Sequence, residues 1–80
     1  EKDGTVTAAN ASSLNDGASA MIVCSEEALK RYKLHPVARI LSMGWNSLEP
    51  EWFTIAPIGA IERALQFAKF SVNDIDLFEV

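Results

Sequence analysis

The chain holds one Cys and one His, so any acid–base or nucleophilic chemistry of its own starts there. Cys24 would need an adjacent base to act as a nucleophile. His35 is the one imidazole that could serve, but it stands in a Leu34-His35-Pro36 turn with no nucleophile or partner carboxylate indicated nearby. Cys24 follows an apolar run and reads as a structural, buried thiol packing as a small hydrophobe; His35 reads as a surface residue. Neither is taken as catalytic. One Cys and one His also fall short of the four ligands of a structural zinc site. Asp74, Asp76 and Glu79 are spaced like a carboxylate cluster, but they suit solvated charges of a turn and a strand edge better. Ile58, Ile61 and Leu65 read as core packing rather than a cofactor box, and Trp45 and Trp52 as loop aromatics buried for stability.

A different opportunity lies in residues Gly4 to Gly17, GTVTAANASSLNDG. Every side chain from Thr7 to Ser13 is small, so nothing there can fill a core. Such a run lets a ligand or another backbone approach peptide groups closely. Asn10, Ser12, Asn15 and Asp16 add short hydrogen-bonding side chains without bulk. By composition alone it is a polar, turn-rich loop. Asn10-Ala11-Ser12 fits a glycosylation sequon, which is read as coincidence since the chain shows no secretory signal.

The elements that must position these residues follow from the pattern. Glu1 to Gly4 is a charged lead-in. Thr5 to Ala8 is expected to be extended, and Asn10 to Gly17 a loop. Ala18 to Cys24 (ASAMIVC) is too short for a helix and apolar on both faces, which predicts a buried strand. Ser25 is placed to cap a helix Glu26–Lys33, with Glu26 and Glu27 at its positive start and Lys30, Arg31 and Lys33 at its negative end. Pro36 ends it. Val37 to Met43 predicts a second strand. Gly44 to Ala56 is a long irregular connection, and connections of that length are usually functional. Pro57 opens a helix to about Lys69, with Ile58, Ile61, Leu65 and Ala68 as its apolar stripe. Ser71 to Asp74 resembles a capping box on one short turn, and Ile75 to Val80 (IDLFEV) predicts a third strand. Alternating strands and helices indicate an α/β class with parallel pairing. No internal repeat is read.

Eighty residues form one small domain at most, able to bury only ~60% of the unfolded surface, so stability alone would be marginal. A 49% hydrophobic content argues against disorder. A net charge of −4 argues against nucleic acid; Lys30, Arg31 and Lys33 have Glu26 and Glu27 beside them and suit a solvated helix face. No apolar run approaches the ~20 residues of a membrane span. The single Cys fits a reducing compartment.

The order of the residues carries more. GTVTAANASSLNDGAS, Val37-Ala38-Arg39-Ile40, Pro57-Ile58-Gly59-Ala60-Ile61-Glu62-Arg63-Ala64-Leu65 and Asp74-Ile75-Asp76-Leu77-Phe78-Glu79-Val80 together resemble the thiolase family, in family order and spacing. The likeness covers nearly the whole chain. It implies a fragment of the five-layer αβαβα thiolase fold, with residues 1–35 ending the N-terminal half and residues 36–80 beginning the C-terminal half. Ala8-Ala9-Asn10-Ala11-Ser12 and Trp52-Phe53 are similar to the short-chain acetyl-CoA acetyltransferases of mitochondrial type, although Thr54 stands where those enzymes usually have Pro.

The resemblance implies an acyltransferase that moves an acetyl group between CoA thioesters through a Cys acyl-enzyme, in acetoacetyl-CoA synthesis or cleavage and hence in fatty-acid metabolism. The family's catalytic Cys and His positions have no match here, so the segment alone is expected to be inactive. Ser12 matches a Ser that hydrogen-bonds the pantetheine arm of CoA, with Ala8 and Ala11 small because the tunnel wall is thin. The alternative for Ser12 is a cap on the turn before Leu14. Phe53 matches an acyl-pocket residue. Backbone carbonyls of Ala8, Ala9 and Ala11 match part of a potassium site. Ser13 replaces a commoner Gly, so it is expected to need an ordinary backbone conformation. Expected partners are CoA thioesters, the rest of a thiolase chain and further copies in a homotetramer or homodimer, with neither nucleic acid nor membrane. Cytoplasm is the expected compartment, with the mitochondrial matrix as alternative. A thiolase-like lipid or sterol carrier without catalysis is the alternative function.

Overall fold

The computed structural model describes residues 3–80; the charged lead-in at Glu1 and Lys2 lies outside the described residues. The chain divides into two compact units, Glu1–Leu34 and His35–Val80.

The first unit carries helix α1, Glu26–Arg31. Ser25 has extended backbone, and its hydroxyl accepts from the Ala28 N–H at 3.1 Å, satisfying one donor of the first turn. Glu26 and Glu27 sit at the positive end of the peptide dipoles, and Lys30 and Arg31 at the negative end. The helix is shorter than its expected end at Lys33 because Lys33 turns left-handed, with φ 53°. There the Lys33 N–H donates to the Lys30 carbonyl and the Leu34 N–H to the Leu29 carbonyl, which closes the last turn as a Schellman motif.

The second unit is built on helix α2, Ala56–Ala68, preceded by a 3-10 helix, Pro50–Ile55, and followed by a 3-10 turn, Val72–Asp74. Pro57 lies in the first turn of α2, where its missing N–H costs nothing. The helix stops as α1 does: Lys69 is left-handed at φ 59°, and the Phe70 N–H donates to the Leu65 carbonyl at 3.0 Å. The two ends share a sequence, Ala28-Leu29-x-x-x-Lys33-Leu34 and Ala64-Leu65-x-x-x-Lys69-Phe70. The expected capping box is present: the Asp74 carboxylate accepts from the Ser71 N–H at 2.8 Å and its hydroxyl at 3.1 Å.

The seam between α2 and residues 42–46 organises this unit. Ser42, Gly44 and Asn46 are half-buried, while Leu41, Met43 and Trp45 between them are exposed. That period of two is strand-like. The segment runs antiparallel to the helix. The Ser42 hydroxyl donates to the Ala64 carbonyl at 2.6 Å, Arg63 donates to the Trp45 carbonyl at 2.7 Å, and the Asn46 amide donates to the Ala56 carbonyl at 3.2 Å. Gly44 lies directly on the helix backbone: a Cβ there would stand 2.5 Å from the Ala60 oxygen and 2.6 Å from the Ala64 nitrogen. The helix face that permits this is Ala56, Gly59, Ala60 and Ala64, small residues at helical spacing.

The expected strands do not form. Among the described residues, Ala18–Cys24, Val37–Met43 and Ile75–Val80 carry no ladder. A strand exists through the backbone partner that takes its N–H and C=O groups, and none of these segments finds one within the chain. The α/β class is therefore not expressed by these residues alone. The burial expected of several residues fails for the same reason: among the described residues none is fully buried. Cys24 is exposed rather than a packed thiol, and Trp45 and Trp52 are 71% and 56% exposed rather than tucked into a loop core. Ile61 and Leu65 are half-buried as the stripe predicts, but Ile58 is 59% exposed. No helix among the described residues is long and apolar enough to cross a membrane.

Candidate functional site

In the first unit the small-residue run folds into a turn held by its own polar groups. The Thr7 carbonyl accepts from the N–H groups of Asn10 at 3.2 Å and Ala11 at 3.0 Å. Asn10 reaches back: its Oδ1 accepts from the Thr7 N–H at 2.7 Å, and its Nδ2 donates to the Thr5 carbonyl at 2.9 Å. The Thr7 hydroxyl accepts from the Ala9 N–H at 3.3 Å. Asn10 thus caps the Thr7 N–H from three residues on, while the Thr7 hydroxyl caps the Ala9 N–H. Asn10 was singled out as a short hydrogen-bonding side chain, but its pairing with Thr7 was not; the T-x-x-N spacing is the signal for it.

The consequence is a turn whose outward groups are left open. Thr5 and Thr7 supply the accepting carbonyls of this network, and those of Ala8, Ala9 and Ala11 take no part in it. Ala8, Ala11 and Ser12 are all exposed. The side-chain bonds that fix this turn come from Thr7 and Asn10. Ser13 accepts from Asn15 Nδ2 at 2.7 Å. Its φ is not positive, since the positive-φ non-Gly residues described are Lys33 and Lys69. A side chain is therefore accommodated at Ser13 without strain. Main-chain carbonyls are hard-oxygen groups, and those of Ala8, Ala9 and Ala11 accept none of the bonds that close this turn.

Cys24 and His35 belong to different units, and His35 is exposed. One oxygen of the Asp74 carboxylate accepts from both the N–H and the hydroxyl of Ser71, so Asp74 serves the capping box. Among the described residues no group of three or more His, Cys, Asp or Glu is placed to hold a metal. The Lys30–Glu26 ion pair at 3.2 Å and the Arg31 guanidinium over the Tyr32 ring at 5.4 Å are surface contacts on α1.

In the second unit Phe53 sits on the 3-10 helix Pro50–Ile55 and is 68% exposed. The loop that carries it, residues 47–55, is closed at its base by the bond from Asn46 to Ala56. Beyond it, Ile40, Ile61, Leu65, Phe70, Ile75 and Phe78 line an open apolar groove of about 370 Å³.

The family model described as Thiolase, C-terminal domain, matches residues 34–80, and that described as Thiolase, N-terminal domain, matches residues 1–27. The chain belongs to the thiolase family. It is similar to the probable acetyl-CoA acyltransferase of Staphylococcus aureus strain NCTC 8325 / PS 47, at 46% identity, and to that of strain MRSA252, at 45%. Both alignments cover 100% of this chain and 20% of the relative, so the chain spans about one fifth of the length of the curated relatives it matches. No solved structure matches it. As a thiolase segment it joins a piece of each domain, and the N-terminal piece carries the open turn.

Proposed function

We propose that this chain works as part of a thiolase-family acyltransferase that transfers an acetyl group between CoA thioesters. Residues 1–35 end the N-terminal half and residues 36–80 begin the C-terminal half. The segment supplies a CoA-binding turn and half-to-half packing, and leaves the nucleophilic Cys and the activating His to other residues. The observation that carries this reading is the turn at 7–12. Its internal bonds are satisfied by Thr7 and Asn10, which leaves Ser12 and the alanine faces free for a ligand.

Pantetheine is a thin chain with two amides that need partners. Ser12 offers a hydroxyl that can donate or accept, and Ala8 and Ala11 allow close approach. The carbonyls of Ala8, Ala9 and Ala11 would hold part of a potassium ion, whose charge would help anchor the loop. Phe53 would line the acyl pocket. Exposed apolar side chains across both units support packing against the rest of a thiolase chain and, in the assembled enzyme, other copies. The compartment proposed is the cytoplasm.

The test is Ser12→Ala in the full-length enzyme that carries this segment, read by calorimetry with CoA. Weaker CoA binding with an unchanged melting temperature supports the reading. Unchanged affinity removes Ser12 from the site.

A further inference from the structure

Asn46 is held as no other residue of its loop is. Its side-chain amide lies flat on α2 over Gly59, so close that a Cβ at Gly59 would meet Nδ2 at 2.6 Å and Cγ at 2.7 Å. From that seat Nδ2 donates to the Ala56 carbonyl at 3.2 Å. Ala56 is the first residue of α2 and follows directly on the 3-10 helix Pro50–Ile55. Asn46 and Ala56 therefore bracket residues 47–55, and one side chain joins the two ends of the loop, as in a compact surface loop whose ends are close.

The rest of the seam does not duplicate this bond. Ser42 and Arg63 tie the segment to the helix further along, at the Ala64 and Trp45 carbonyls. Within the loop, the Trp52 N–H donates to the Glu49 carbonyl at 2.8 Å and the Ala56 N–H to the Phe53 carbonyl; these shape the 3-10 turn and its join to α2, whereas Asn46 ties it to the segment before the loop.

We propose that Asn46 is a positioning residue: seated on Gly59 and bonded to Ala56, it sets the position of the loop that carries Phe53, and through Phe53 the length of acyl chain the enzyme prefers. This rests on the reading of Phe53 as a pocket residue. The residue types fit the task. Only a residue without Cβ leaves room for the amide on the helix surface. Only a donor serves a carbonyl, so a carboxylate of the same shape would be repelled by the Ala56 oxygen.

The experiment uses the full-length enzyme with Asn46→Ala, Asn46→Asp, Gly59→Ala, the Asn46→Ala/Gly59→Ala pair and Phe53→Ala. The readout is the ratio of kcat/KM for a short and a medium-chain 3-ketoacyl-CoA, with the melting temperature measured alongside. Each single change at Asn46 or Gly59 is expected to shift the ratio about tenfold, within the range set by a methylene-scale change of an apolar pocket. The pair should shift it no further than either alone, because both release the same latch. A general loss of stability would lower both rates together and leave the ratio in place.

Acrylamide quenching of Trp52, with every other Trp of the full-length enzyme replaced by Phe, follows the loop without turnover; Asn46→Asp is expected to raise it. If Phe53→Ala shifts the ratio while every Asn46 and Gly59 variant stays within about twofold of wild type, the latch is refuted and the pocket reading stands. If Phe53→Ala itself leaves the ratio unchanged, the pocket reading falls and takes the proposal with it.

Discussion

Gly44→Ala is the sharpest probe of the seam. The added Cβ would lie 2.5 Å from the Ala60 oxygen and 2.6 Å from the Ala64 nitrogen, where ordinary contact begins near 3.4 Å. Both neighbours are helix backbone, so neither can rotate away. The 42–46 segment must lift by about 0.9 Å, the difference between 3.4 and 2.5 Å. A lift of that size carries the Ser42–Ala64 and Arg63–Trp45 bonds, now 2.6 and 2.7 Å, to about 3.5 and 3.6 Å. At that length they are no longer good hydrogen bonds. Overpacking costs about 1–3 kcal/mol, and each of the two bonds about 0.5–1.5 kcal/mol, so a loss of about 2–6 kcal/mol is expected. Gly59→Ala makes the comparison. Its clash is with the movable Asn46 amide, and the gain of about 1 kcal/mol in helix propensity offsets the lost bond. Thermal or urea unfolding of the full-length enzyme reads both. Gly44→Ala should lower the melting temperature by several degrees and Gly59→Ala hardly at all. If Gly44→Ala melts with the wild type, or Gly59→Ala is the more damaging change, the close approach described here is wrong.

Three further outcomes are expected. The isolated 80-residue chain should show no sharp thermal transition by circular dichroism, because none of its described residues is fully buried; a cooperative, monomeric melt would contradict this. Lys69→Gly in the full-length enzyme should raise stability by about 1 kcal/mol, because a left-handed backbone strains any side chain with a Cβ, and urea unfolding measures it. Ser25→Ala should cost about 1 kcal/mol through the orphaned Ala28 N–H, with an unchanged unfolding midpoint counting against the cap.

The helices were legible because their signals are local. Ser25, Glu26 and Glu27 announce the start of α1, and Pro57 the start of α2 within a residue. Ser71 and Asp74 announce the box between them. Their ends were misjudged by a residue or two, because Lys33 and Lys69 take a left-handed turn that sequence assigns to Gly or Asn. The strands were half legible. ASAMIVC and IDLFEV announce sheet-forming character, but a ladder depends on a partner that local sequence does not name. The seam was illegible for a related reason. Gly44 and Gly59 look like breakers, whereas both are small because something lies against them, and that is a tertiary fact. At the turn, the small side chains were legible from composition, whereas the T-x-x-N pair that closes the turn was not, because it is read only once the backbone is seen to fold back on itself.

Alanines recur on α2 at every fourth position, 56, 60, 64 and 68. To a chain lying along them, each turn looks like the next, so a slide of four residues, about 6 Å at a rise of about 1.5 Å per residue, would present the same methyl groups to Gly44 and the same kind of carbonyl to Ser42. Two side chains break that degeneracy. A slide one way puts Asn46 over Arg63 and leaves Phe67 opposite the Trp45 carbonyl; a slide the other way puts it over Ile55. Gly59 and Arg63 thus act as the index mark on a uniform scale, admitting one alignment of the two pieces and refusing its neighbours.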